Sequence, residues 1–272
     1  MSQKKVLYVS QEIYPYLEET NISNTSRYLP QAIQEKGKEI RAFMPKYGNI
    51  NERRNQLHEV IRLSGMNLII DDTDHSLIIK VASIQSARMQ VYFIDNDDFF
   101  QNRETLVDTN GVEYDDNDER SIFFIRGVME TIKKLRWVPD IVHCHGWFSA
   151  LAPLYIKKGY ADDPCFRGAR VIYSLYDESF SKAFQNGFAG KLRFDGIGDP
   201  EIEKIKERGD IDYINLMKLA IDYSDGVIQG SEKASPEIIE YIQEKGVKFL
   251  PYDTDFDKRV EMINAFYEEI DN

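Results

Sequence analysis

The sequence predicts an α/β fold, a doubly wound and mostly parallel sheet with helices on both faces. Two observations support this fold class. Short apolar runs rich in β-branched residues alternate along the chain with longer segments in which apolar residues recur at helical spacing. Residues 139–153 contain a complete unit of this kind, a strand followed by a tight turn at Gly146 and a helix.

The N-terminal elements follow the same alternation. A strand is predicted at Val6–Val9, a helix from Ile22 to Lys36 and a second strand at Ile40–Met44, which Pro45 ends. Residues 57–94 have extended runs without helical spacing, which predicts a small β-rich insertion with antiparallel hairpins. Its predicted strands are Val60–Leu63, Leu68–Ile70, Leu77–Ile84 and Met89–Ile94.

The rest of the chain returns to strand and helix after a long loop. Residues 95–117 are rich in acidic and amide side chains and contain an Asn110-Gly111 turn signal, which predicts an ordered loop. A helix is expected from Asp118 to Lys134. The later predicted elements are strands Ile141–Cys144, Arg170–Leu175, Gly226–Gln229 and Val247–Leu250, and helices Asp210–Tyr223, Ser235–Lys245 and Thr254–Ile270. We expect one domain over residues 1–272, with the β-rich insertion at 57–94.

Composition excludes several classes of partner. Lys and Arg number 34 against 46 Asp and Glu, a net charge of −12, and no basic run could follow a phosphate backbone. Nucleic acid and anionic membranes are therefore not expected partners.

The first apolar run is too short for a signal peptide, which favours a cytoplasmic protein with both cysteines reduced. The acidic residues 115–119 lack the spacing of a calcium loop, so neither a metal nor a cofactor is expected.

The unit at residues 139–153 holds the first candidate site residues. His143, His145 and Trp147 would lie at the carboxyl end of a strand, where open α/β sheets bind their ligands. His143 on a buried strand is expected to be a core residue, and Trp147 at a helix start is a core residue or an aromatic surface for a ligand. The dinucleotide, phosphate-loop and hydrolase-elbow motifs are missing, which disfavours a simple NAD, ATP or ester enzyme.

Seven short motifs occur in order between residues 5 and about 231. Read together, they resemble the N-terminal half of bacterial glycogen and plant starch synthases. The motifs are residues 5–15, Leu29-Pro30 with 37–45, residues 46–50, residues 91–96, Tyr114–Asn117 with Arg120, residues 139–145 with Trp147, and Ser224-Asp225. The resemblance implies a Rossmann-like half of a GT-B glycosyltransferase. It implies relation to enzymes that transfer glucose from ADP-glucose to α-1,4-glucan with retention.

The resemblance also implies site residues. Tyr114, Asp116 and Asn117 match the family's sugar-side polar cluster, and His145 and Trp147 match part of its His-Asp-Trp-His turn. Asp116 and Asn117 precede a predicted helix, so capping of that helix is the alternative role for both. No residue of this chain is assigned a catalytic role.

Departures from the family pattern favour loss of nucleotide chemistry. Glu18, Thr20 and Asn21 stand where the family has the lysine and two glycines of its phosphate loop, and carboxylates there would repel a diphosphate. Gly146 and Phe148 replace the aspartate and second histidine of the turn, and Tyr176-Asp177 replaces a His-Asn pair. The family's second, nucleotide-binding half has no counterpart in this sequence, so we expect a protein that is catalytically incomplete alone.

Three hypotheses follow from these observations. The chain is a synthase half that acts with a separate nucleotide-binding subunit and ADP-glucose, or a non-catalytic glucan-binding or regulatory module, or an unrelated doubly wound domain such as a signalling protein. The expected partner is an α-glucan or oligosaccharide. An exposed apolar face would favour the first hypothesis, and an aromatic cleft would favour the second.

Overall fold

A single mixed sheet forms the centre of the computed structural model, which describes residues 3–185 and 187–271. Within these residues the sheet has ten strands in the order β10-β9-β8-β7-β1-β2-β6-β5-β3, and β4 pairs with β5. The strands are β1 Lys5–Ser10, β2 Glu39–Pro45, β3 His58–Glu59, β4 Met66–Ile70, β5 Thr73–Ile84, β6 Met89–Asp95, β7 Ile141–His145, β8 Arg170–Leu175, β9 Gly226–Gln229 and β10 Lys248–Leu250.

The helices connect these strands. They are α1 Asn21–Glu35, α2 Asn117–Leu135, α3 Ala152–Leu154, α4 Phe188–Lys191, α5 Asp199–Lys206, α6 Tyr213–Asp222, α7 Pro236–Lys245 and α8 Phe256–Asp271. A 3₁₀ turn at Trp147–Ser149 precedes α3, and a π-helical segment at Tyr155–Gly159 continues it. The predicted helix after Gly146 is therefore present in irregular form.

Strand order reverses between β1 and β7. From β1 the chain proceeds through β2 to β6 on one side, and from β7 it proceeds through β8 to β10 on the other, with parallel pairing throughout. Such a reversal opens a crevice outside the carboxyl ends of the two central strands. The predicted fold class is confirmed, and the crevice lies beside the turn that follows β7.

The β-rich segment differs from its prediction in two ways. Residues Val60–Leu63 form a turn instead of a strand, and the strand at this place is the two-residue β3. The strand β6 pairs in parallel with β2 and antiparallel with β5, so the hairpin strands extend the main sheet. Alternation of apolar residues reports which face of a strand is buried, and it carries no information on the direction of the neighbouring strand.

The last helix is joined to the sheet by buried hydrogen bonds. The Tyr267 hydroxyl lies 2.6 Å from Nδ1 of His143 and 3.1 Å from the hydroxyl of Tyr8, and Nε2 of His143 lies 2.7 Å from Oγ of Ser174. His143, Tyr8 and Tyr267 are each 0% exposed. Burial lowers the pKa of His143 well below its usual value, so the ring is neutral. His143 is therefore the satisfied core histidine that the sequence predicts.

Replacement of Tyr267 by Phe tests this attachment. The change removes the hydroxyl and leaves polar atoms of His143 and Tyr8 buried with fewer partners, which costs about 1 to 3 kcal/mol of unfolding free energy. Urea denaturation followed by circular dichroism measures the loss. The exposed Tyr28 provides the control, because Tyr28→Phe changes no buried hydrogen bond. Equal stability of the two variants would contradict this account of α8.

Candidate binding cleft at the sheet edge

Two cavities meet at Trp147, at the carboxyl edge of the sheet. The first, which we name the acidic cleft, has a volume of about 530 Å³. It is lined by Gln11, Glu12, Thr20, Asn21, Ile22, Leu106, Trp147, Tyr176, Asp177, Glu178, Ser179, Ser231, Glu232 and Lys233. The second, which we name the aromatic cavity, has a volume of about 440 Å³. It is lined by Glu113, Tyr114, Asp115, Asn117, Asp118, Trp147, Phe180, Lys182, Ala183, Phe184, Gln185, Gly187, Phe188 and Lys191.

Gln11 joins the ends of three neighbouring strands in the acidic cleft. Its side-chain oxygen accepts a hydrogen bond of 3.0 Å from the backbone N–H of Phe148, after β7. Its side-chain nitrogen donates to Glu12 over 3.1 Å and to Glu178, after β8, over 3.4 Å. Gly146 makes room for this side chain, because a Cβ atom at position 146 would lie 2.7 Å from Cβ of Gln11. Gln11 therefore packs directly against the backbone of this turn.

Glu178 brings a carboxyl group to the same turn. Its Oε1 accepts a hydrogen bond of 2.7 Å from the backbone N–H of Trp147. Burial and the neighbouring charge of Glu12 together raise the pKa of Glu178 to about 8, although its hydrogen bonds from Trp147 and Gln11 act to lower it. Burial also raises the pKa of Glu12. Glu12 and Glu178 both accept hydrogen bonds from the side-chain amide of Gln11. Because its pKa is raised, Glu178 is mostly protonated at neutral pH.

The three residues of the predicted degenerate phosphate loop lie at the start of α1. Thr20 is the N-cap residue, because its Oγ1 accepts a hydrogen bond of 2.9 Å from the backbone N–H of Ser23. The same hydroxyl donates to Glu12 over 2.9 Å. Asn21 donates to the backbone oxygen of Gly230 over 3.3 Å, and Glu18 is exposed to solvent. Polar groups of the chain itself thus occupy the end of this helix.

Aromatic rings form one wall of the second cavity. The Trp147 ring lies 4.8 Å from Phe180 between centroids, and Phe180 stacks on Phe184 at 5.1 Å with an angle of 9°. Trp147 is only 2% exposed, so it presents an edge to the cavities while its body belongs to the core. The core role expected for Trp147 is therefore confirmed, whereas its role as an aromatic surface for a ligand stays a prediction. Phe180, which is half-buried, offers more of its surface to the cavity.

The polar cluster at residues 114–117 is held by two arginines. Both carboxylate oxygens of Asp116 bind Arg103, at 2.5 and 2.7 Å, and Asp116 makes no side-chain capping bond to α2. Asn117 accepts a hydrogen bond of 2.7 Å from Arg120. The guanidinium groups of Arg103 and Arg120 lie 4.3 and 4.7 Å from the ring centre of Tyr114. The structure brings Tyr114 and Asn117 to the aromatic cavity, whereas Asp116 is engaged by Arg103.

His145 lies under the acidic cleft and is 0% exposed. Its Nδ1 lies 2.7 Å from the hydroxyl of Tyr176, and Tyr176 lines the cleft. Burial lowers the pKa of His145 to about 3, so the ring is neutral and supports Tyr176. His145 therefore supports the cleft through Tyr176, whereas Trp147 lines the cleft directly.

Sequence reasoning missed Glu178, Phe180 and Phe184. These residues lie in an irregular segment after β8, where neither periodicity nor a motif marks them, and the short helices α4 and α5 that follow were also not predicted. One signal was available, since a segment that directly follows a parallel strand lies at the carboxyl edge of the sheet. Over residues 3–185 and 187–271, no group of three His, Cys, Asp or Glu side chains is placed to hold a metal ion. No helix in this part of the chain could cross a membrane.

The fold and the position of the cleft define a class of protein, the Rossmann-like half of a GT-B glycosyltransferase. The family model described as starch synthase catalytic domain matches residues 5–250. The chain therefore belongs to the starch synthase catalytic-domain family, and the alternative of an unrelated doubly wound domain is wrong.

Curated relatives and a solved structure agree with this assignment. Glycogen synthase of Chlorobium limicola is 33% identical over 236 residues, and that of Chlorobaculum tepidum is 34% identical over 238 residues. These matches cover 86% and 87% of this chain but 47% of each relative, so the chain spans about half of their length. The catalytic domain of starch synthase IV from Arabidopsis thaliana, bound to ADP and acarbose, shares the fold with a TM-score of 0.72 and 18% identity. That match covers 92% of this chain and 51% of the plant domain.

The raised pKa of Glu178 predicts how stability depends on pH. Because the folded state holds a proton up to about pH 8, whereas an ordinary glutamate loses it near 4.5, the unfolding free energy falls as pH rises from about 4.5 to about 8. Glu178→Gln removes this loss and keeps an acceptor for the Trp147 N–H. We expect its melting temperature to rise relative to the wild type by at least about 2 °C between pH 5 and pH 9.

Thermal melts of three proteins over this pH range check the prediction. The matched control is Glu240→Gln, an exposed carboxyl on α7, which removes the same charge without touching the cleft. If the difference in melting temperature between Glu178→Gln and the wild type stays constant from pH 5 to pH 9, Glu178 titrates as an ordinary carboxyl group and the prediction is wrong.

Proposed function

We propose that this chain binds an α-1,4-glucan or a maltooligosaccharide at the carboxyl edge of its sheet and does not itself transfer glucose from ADP-glucose. The observation that carries the proposal is the meeting of the aromatic cavity and the acidic cleft at Trp147. The body of the Trp147 side chain is buried in the core, and its edge lines both cavities. The site thus offers apolar ring surface and hydrogen-bonding groups side by side, which is the combination that a sugar chain requires.

The aromatic cavity suits the flat faces of glucose rings. Phe180 and Phe184 supply stacked ring surface, and the polar residues Tyr114 and Asn117 line the same cavity. Lys191, held by Asp118 and Glu119 over 2.8 and 2.6 Å, closes one side with an ion-paired group. A neutral polyhydroxyl ligand can use all of these groups without placing a net charge beside them.

The acidic cleft is unsuited to a diphosphate. Four carboxyl groups line it, from Glu12, Asp177, Glu178 and Glu232, and Lys233 is the one cationic side chain among its described lining residues. Transfer from a nucleotide sugar needs cations or free N–H groups to stabilise the leaving phosphate. At the start of α1 such groups are engaged by Thr20 and its neighbours. Glucose transfer by these residues alone is therefore not expected.

The relatives support a glucan as the ligand class. They are named glycogen synthases, and the structurally similar plant domain holds ADP and acarbose. A separate nucleotide-binding subunit stays a hypothesis. The most exposed large apolar side chain of the described residues, Ile61, is 82% exposed and lies at the β3 side of the sheet, away from the cleft. The cytoplasmic location expected from the sequence also stays a prediction.

Replacement of Phe180 by Ala tests the aromatic cavity. Phe180 is half-buried, so its removal deletes a stacking surface at a smaller cost to the core than removal of Trp147. We expect the affinity for maltoheptaose to fall about three- to tenfold, because one aromatic contact contributes about 0.5 to 1.5 kcal/mol. Isothermal titration calorimetry measures the change.

Phe249→Ala is the matched control for this experiment. Phe249 is a half-buried phenylalanine on the edge strand β10 and lines neither cavity. Its replacement should leave the affinity for maltoheptaose within twofold of the wild type. An equal loss in both variants would refute the role of the aromatic cavity. Absence of binding by the wild type would refute the glucan function itself.

A further inference from the structure

The turn after β7 is held by side chains that follow β1 and β8. A Cβ atom at Gly146 would lie 2.7 Å from Cβ of Gln11, so Gln11 fills the space beside this turn. Glu178 enters from the next strand and accepts the N–H of Trp147 over 2.7 Å. Gln11 then links this carboxyl group to Glu12. Gln11, Trp147 and Glu178, which follow β1, β7 and β8, are therefore joined by hydrogen bonds. No single sequence motif contains all three residues.

We propose that Glu178, once it is ionised, makes the acidic cleft more selective for neutral carbohydrate over phosphate-bearing carbohydrate. The inference rests on the proposed glucan function and extends it to the kind of glucan accepted. A sugar hydroxyl can donate to a carboxylate or accept from a carboxylic acid, so it tolerates both protonation states of Glu178. A phosphate ester is repelled by the ionised state, and the repulsion grows in a half-buried site where water screens charge less.

The tyrosines around Glu178 stay uncharged while its carboxyl group ionises. They are Tyr47, which follows β2, Tyr173 on β8 and Tyr213 on α6, and burial raises the pKa of each above its ordinary value. They stay neutral at pH 9. Burial likewise raises the pKa of Tyr176, which lines the cleft beside Glu178.

The other charged groups of the cleft flank Glu178 from neighbouring segments. Glu12 lies across Gln11, after β1. Asp177 adjoins Glu178 at the end of β8, and Glu232 and Lys233 lie at the exposed mouth after β9. The pKa of Glu12 is raised by burial, and its charge in turn disfavours ionisation of Glu178. Ionisation of Glu178 therefore places a second negative charge beside that of Glu12.

The test compares two ligands that differ by one phosphate. The probes are maltoheptaose and maltoheptaose that carries a single phosphate monoester, titrated into the protein by calorimetry at pH 7 and pH 9. The second pKa of a phosphate monoester is about 6, so its charge is nearly constant over this range while Glu178 ionises. We expect the preference of the wild type for the neutral ligand to increase about tenfold from pH 7 to pH 9. In Glu178→Gln the preference should change by less than about twofold.

Two further results separate the possible outcomes. Glu240→Gln removes an exposed carboxyl group on α7 and should follow the wild type, which controls for net charge. A preference that increases equally in wild type and Glu178→Gln, or that stays constant in the wild type, would overturn the role of Glu178 while the glucan function stands. If the wild type binds neither probe at either pH, the glucan function itself fails, and the selectivity inferred here fails with it.

Discussion

The side chain of Gln11 fixes the geometry of the cleft. It lies at the end of β1, at the point where strand order reverses, and reaches the turn after β7 and the carboxyl group that follows β8. Gly146 is compatible with this arrangement because it has no side chain and adopts a φ of +83°. This one amide thus connects Glu12, Glu178 and the backbone of the turn that carries Trp147. Its hydrogen bonds are buried, where an unpaired amide would be costly.

The sequence was sufficient for most of the fold because parallel strands are buried on both faces and appear as short apolar runs. The strands Arg170–Leu175 and Gly226–Gln229 were predicted with the bounds that the structure gives them. Val60–Leu63 was predicted wrongly, since a short apolar run is compatible with a turn whose residues pack on one side. The direction of β6 was also inaccessible, because strand pairing depends on contacts between residues that are distant in the sequence.

The candidate site was predicted less completely, and the reason is physical. Tyr114, Asn117 and Trp147 could be found because they belong to motifs. His145 was found in the same way, but its burial beneath Tyr176 could not be anticipated from spacing. Glu178 and Phe180 lie in an irregular segment whose path is determined by tertiary packing, and the acidic character of the cleft emerges only when residues from the ends of β1, β8 and β9 are brought together.

The most direct measurement is a pair of calorimetric titrations of the wild-type protein, one with maltoheptaose and one with ADP-glucose. If the acidic cleft and the engaged start of α1 exclude a diphosphate, maltoheptaose binds and ADP-glucose produces no heat of binding at the same protein concentration. Binding of ADP-glucose, with or without the oligosaccharide, would contradict the account, because it would require the carboxyl groups around Gln11 to accept the phosphates that they are argued to repel.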